Sequence, residues 1–148
     1  MRAWSLAASV LALALFAGAG CLVAQTCPKS EFEAVVDEAG AALRDLNQQN
    51  TPAFQAKLRQ LRDKRGWTHD QFLTQAAPFV RDERIAGFDR KSEELLARIT
   101  SESQPPPPGK TADCALLAEL RASMHNLIET QKAKWAYMFD KIDKELAR

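Results

Sequence analysis

Residues 112–147 read ADCALLAELRASMHNLIETQKAKWAYMFDKIDKELA, and the spacing of their apolar side chains decides the fold class. Leu117, Leu120, Met124, Leu127 or Ile128, Trp135, Met138, Ile142 and Leu146 recur three and four residues apart, with Gln131 as the polar member of the row. Only an α-helix brings that spacing onto one face. The stretch therefore predicts one long helix, about 50 Å from end to end at the helical rise per residue. Glu129/Lys132 and Asp140/Lys144 add supporting charge pairs on its wet side, as Glu94/Arg98 does on the preceding helix.

The same period fills most of the chain upstream. Ser30-x-x-Glu33 has the form of a capping box, followed by Phe32, Val36, Ala39, Leu43 and Leu46 at helical spacing. Asn47-Gln48-Gln49-Asn50 predicts an end to this helix. Thr51-Pro52 predicts a fresh start, because proline at a first helical position loses nothing by lacking an N–H. Phe54, Leu58 and Leu61 then line a second helix that Gly66 closes with a left-handed cap. The segment 31–46 has a net charge of −4 and 52–65 a net of +4. Joined by a short connection, the two would lie antiparallel with opposite charges facing.

A corner follows at Gly66-Trp67. Thr68 and Gln71 form a second capping box, and Trp67 and Phe72 stand at the positions of a hydrophobic staple. Pro78 predicts a break near Ala77-Pro78. Helix resumes with Ile85, Phe88, Leu95 and Ile99 on one face, Ser92 occupying the remaining place in that row. Residues 101–110 contain Pro105-Pro106-Pro107-Pro108-Gly109 and predict a stiff polyproline linker. The expected fold is all-α: an antiparallel bundle of four to five helices with a long C-terminal helix and a proline-rich linker before it.

The first 24 residues differ in kind. Met1-Arg2, a run from Leu6 to Phe16 that is apolar apart from Ser9, and the small residues Ala17-Gly18-Ala19-Gly20 have the layout of a secretory signal peptide. Cleavage after Ala24 is expected, leaving 25–148 as a single helical domain. Cleavage after Ala19, lipid attachment at Cys21 and a retained anchor are the rivals. A cut after Ala24 leaves Cys27 and Cys114, an even pair that predicts one disulfide in an oxidising compartment. The expected location is periplasmic or secreted. Arg2 is the leader's only charge, so 20 basic residues become 19 against 19 acidic ones. A net charge of zero argues against nucleic acid or an anionic membrane surface as partner.

Chemistry-bearing groups are sparse. The only histidines are His69 and His125, and neither belongs to a zinc, di-iron or haem-attachment motif. Met124 and His125 point about 100° apart on a helix and cannot share one metal, while Met124 and Met138 fall on the core seam. No strand–turn–helix elbow exists to present a serine nucleophile. We expect no catalytic centre and no cofactor. The densest aromatic patch is Trp135-Ala136-Tyr137-Met138-Phe139. Trp135, Met138 and Phe139 lie near the seam, and Tyr137, with Trp135 beside it, is the expected partner contact.

Trp67-Thr68-His69-Asp70-Gln71 resembles, over five residues and with Trp in place of Leu, the Leu-Thr-x-x-Gln motif of small periplasmic stress chaperones and metal-responsive sensors of the Spy/CpxP type. That resemblance implies an exported all-helical protein of similar length. The methionine- and histidine-rich surfaces of those proteins have no counterpart here. The expected function is therefore non-enzymatic: a helical protein acting through protein contacts, as an accessory or chaperone-like factor. The alternative is a periplasmic sensor of a small ligand or metal using His69, His125 or nearby carboxylates.

Overall fold

A computed structural model describes residues 26–104 and 112–148. The leader with Cys21, and the prolines of the linker, lie outside the described residues. Four helices make up the described part: α1 (Lys29–Arg65), α2 (His69–Val80), α3 (Glu83–Glu102) and α4 (Cys114–Ala147). The chain is all-α, as its 3.6-residue period requires.

The largest departure from expectation is α1. It is one continuous helix of 37 residues with Pro52 inside it, so the hairpin expected between 46 and 52 does not exist. Proline strips its turn of one hydrogen bond, that to the carbonyl of residue 48. Gln48 and Pro52 are both exposed, so water can satisfy that carbonyl. The apolar row also stays in phase across the supposed break, from Leu43 through Leu46 and Asn50 to Phe54. Burial of both halves against α4 outweighs the local signal. At the start of α1 the Ser30/Glu33 capping box is not formed. Pro28 is the N-cap, without a side-chain bond, and Glu33 pairs with Lys29 at 2.9 Å instead. Val36 is 38% exposed, and Val35 takes its place against the core.

The corner after α1 forms as its sequence predicts. Gly66 has φ 65°, a conformation that a side chain would strain. Its N–H reaches the carbonyl of Asp63, while that of Trp67 reaches Arg62. Thr68 and Gln71 bond reciprocally at 2.9 and 3.3 Å. Pro78 does not break the chain where expected, because it sits in the last turn of α2. The break comes at Arg81-Asp82, where the Asp82 carboxylate accepts the Ile85 N–H at 2.7 Å and opens α3. Helix α3 runs on through Glu102, so residues 101 and 102 are helical rather than linker.

Helices α1 and α4 start side by side. Cys27 and Cys114 form a disulfide, with Cα atoms 5.0 Å apart, and the Cys27 N–H donates to the Ala112 carbonyl at 3.1 Å. From there they run in the same direction. Glu31 meets Arg121, Asn47 meets Trp135, Lys57 meets Asp143 and Arg65 meets Glu145. This parallel pairing replaces the antiparallel one expected for the first helix. The basic half of α1 thus faces the end of α4, where Lys64 and Arg65 donate to the Leu146 and Glu145 carbonyls. Carbonyls at a helix C-terminus have no donors of their own and favour such cations. Helices α2 and α3 make the return stroke, with α3 antiparallel to α4: Asp82 meets Lys141, Asp89 meets Lys134 and Ser92 meets Gln131.

The core divides into two clusters along α4. Ala39, Leu95, Ile99, Leu120, Met124 and Leu127 are buried together toward the disulfide. Phe54, Leu61, Phe79, Ile85, Met138 and Ile142 are buried together toward Gly66. Between them the two polar members of the apolar rows find each other: the Gln131 side-chain amide donates to Ser92 Oγ at 2.7 Å, and that hydroxyl donates to the Phe88 carbonyl. The contact disfavours sliding of α3 along α4, because another register would take the Ser92 acceptor away from the Gln131 amide, although Ser92 would keep its bond to Phe88 within α3.

Candidate functional site

Asp82 forms the hub of a polar cluster where α2 turns into α3. Its Oδ2 accepts the Tyr137 hydroxyl at 2.8 Å and the Lys141 ammonium. The same ammonium donates to the Pro78 carbonyl, so one lysine of α4 clamps both sides of the corner. The Arg84 guanidinium lies 4.5 Å from the Tyr137 ring centre, and Phe88 packs at 6.3 Å. The Lys141 hydrogen bond, then the Ile85 N–H, hold the Asp82 carboxyl down to about 2. Its hydrogen bond to Asp82, first, pushes the Tyr137 phenol up. Tyr137 is half-buried, with its hydroxyl engaged inside the chain, and is not the free aromatic expected from its place on the helix. Trp135 is half-buried too, packing edge-on to Phe54 with its N–H on Asn47 Oδ1 at 3.1 Å.

His69 and His125 are both exposed, one on α2 and the other on α4. Among the described residues no group of three histidine, cysteine or acidic side chains is placed to hold a metal ion. Met124 and Met138 are buried, one in each core cluster.

Of the four large apolar side chains exposed among the described residues, two lie on α2, the others being Val36 on α1 and Leu96 on α3. Phe79 is buried in the core and Phe72 is half-buried. Their neighbours Leu73 and Val80, also seven residues apart, are 61% and 39% exposed. With Ala76 and Ala77 between them, they form a second apolar stripe about 100° around the helix from the first. Apart from His69 and Asp70 at its start, α2 carries no ionisable side chain. The signal was present in the sequence as two adjacent apolar pairs, 72–73 and 79–80, one helical repeat apart. A single buried face needs only one member of each pair.

A second feature lies near the disulfide end. Arg98 and Glu102 of α3 face Glu119, Ala122, Ser123 and Asn126 of α4 across an open cleft of about 410 Å³. The expected Glu94/Arg98 pair is absent from the ion pairs of the described residues, and Arg98 lines this cleft instead.

No family model, curated protein or solved structure matches the chain. Among the described residues, no helix is long and apolar enough to cross a membrane.

Proposed function

We propose that this protein is a non-enzymatic, exported helical factor that works by holding other polypeptides, and that α2 is its contact surface. The observation that carries the reading is the outer stripe Leu73–Ala76/Ala77–Val80, apolar throughout, with Leu73 and Val80 exposed and the two alanines half-buried, on a short helix beside a charged one. Exposed leucines scattered singly are ordinary, but two large apolar side chains aligned on one helical face form a patch that a partner would cover. The half-buried Trp67, just before α2, and Phe72 within it add aromatic area. Export is supported by the leader's composition and by the disulfide, since such bonds persist in oxidising compartments. Cleavage after Ala24 and a periplasmic or secreted location belong to this same proposal.

The test is a photo-activated cross-linker placed at position 73 and, as a control, at position 96, which is also exposed and apolar. Incubated with a chemically unfolded client, the position-73 protein is expected to give a discrete adduct and the position-96 protein little. Equal labelling at both sites, or none at 73, rejects α2 as the contact surface.

A further inference from the structure

We infer that the outer face of α1 docks on the same face of a second copy of this chain, the two helices antiparallel and crossing near Gln48. The charge pattern carries this. Segment 31–46 has a net charge of −4, with Arg44 its one cation, and 52–65 a net of +4. Because α1 is a single helix, the two segments cannot face each other within one chain. Contacts with α4 satisfy only part of the pattern. Among the described residues Asp37, Glu38, Asp45 and Arg59 form no ion pair, and all four are exposed. The helix dipole does not account for them either. Its effect is confined to the first and last turns, whereas Asp37 and Arg59 each lie about two turns inside the ends of α1.

The spacing sets the sense and the register. Asp37, Gln48 and Arg59 are exposed and stand at equal intervals, 48 − 37 = 59 − 48 = 11 residues. That interval is three turns plus about 20°, so the three residues form one line along α1 with about 16 Å between neighbours. A second α1 laid antiparallel over Gln48 brings Asp37 opposite Arg59 of the partner subunit, and the two-fold axis repeats the pair at the other end. A parallel copy would set like charges together. The crossing point also holds a spare acceptor. The Gln48 carbonyl lacks the N–H donor of residue 52, which is proline, and the side-chain amide of the partner's Gln48 can donate to it. Such a pair is isologous and closed, the commonest form of soluble oligomer. Exposed ion pairs are individually weak, so the association is reversible and sensitive to salt. It goes beyond the reading of α2, and either can fail without the other.

The test is sedimentation equilibrium of the disulfide-bonded protein with three variants: Asp37→Arg, Arg59→Asp and the double exchange. A monomer–dimer equilibrium is expected in about 0.02 M salt, weakened tenfold or more in about 0.5 M, where screening is short-ranged. Each single exchange sets like charges opposite each other at both ends and should weaken the dimer at least tenfold. The double exchange should restore it. So should a mixture of the two single variants, in which every facing pair is again opposite in sign, and that rescue also shows that both variants fold. Residues 33 and 63 come together across the two-fold as well, so distances within α1 are read on labelled protein diluted into unlabelled. A monomer up to about 1 mM in low salt overturns the inference. So does salt-independent association, single variants that pair like the unaltered protein, or failure of the double exchange or the mixture to restore pairing.

Discussion

Replacing Cys27 and Cys114 together by serine should lower stability by an amount that the chain topology sets. The disulfide joins residues 87 apart in sequence, so it encloses α1, α2 and α3 in one covalent loop. In the chain-entropy description, removing a cross-link that closes a loop of this length costs about 4.6 kcal/mol at 25 °C. Among the described residues the native contacts around it are few: the Cys27 N–H bond to the Ala112 carbonyl, within an isolated antiparallel bridge between Thr26 and Asp113, and two half-buried cysteines. Most of the loss therefore comes from freeing the unfolded chain rather than from disturbing the folded one. For a domain of this size, roughly 4 °C of melting temperature accompanies each kcal/mol, giving an expected drop of about 18 °C. Thermal melts followed by circular dichroism at 222 nm, on the oxidised protein and the double serine variant, measure it directly. A drop below about 5 °C would refute the reasoning. The bond would then be clamping ends that fray independently of the core, and the two parallel helices would not depend on it.

Other outcomes follow from the same geometry. Leu120 is fully buried in the cluster nearer the disulfide, so Leu120→Ala should cost about 2–5 kcal/mol in urea denaturation, whereas Leu96→Ala at a half-exposed site should stay within about 0.5 kcal/mol. Asp82 is held down to about 2 against an ordinary value of 3.8, so its share of stability is complete above the ordinary value. That share should fade as pH drops from about 5 toward 2, and Asp82→Asn should flatten the stability profile in that window. Spin labels at Glu33 and Asp63 should lie about 45 Å apart by pulsed dipolar spectroscopy, the length of thirty helical residues, and a separation under about 25 Å would restore the hairpin.

The helical fold was legible because burial on one face imposes a period, and the rows Leu117–Leu146 and Ile85–Ile99 express it with few interruptions. Gly66 and the Thr68/Gln71 box were legible for another reason: a left-handed turn and a reciprocal cap depend only on residues within reach of each other. What misled was punctuation weighed without its surroundings. Asn47–Pro52 carries the residues of a stop and a restart, yet Pro52 sits on the solvent side of α1, where its lost hydrogen bond is cheap. Pro78 is tolerated for a related reason, since the turn it occupies is the last one of α2. Asp82 as a cap, and Lys141 reaching it from 59 residues away, depend on how α2–α3 folds back against α4. No local pattern encodes that contact. The same holds for Tyr137, whose helical position suggests exposure and whose hydroxyl is taken by Asp82.

The contact surface on α2 is tested most directly by protection of an unfolding client. Light scattering from chemically denatured client diluted into buffer should fall in proportion to added protein. A Leu73→Ser/Val80→Ser variant should lose most of that protection while keeping its helical spectrum and melting temperature, and Leu96→Ser should keep it. Full protection by the α2 variant, or none by the unaltered protein, would contradict the account.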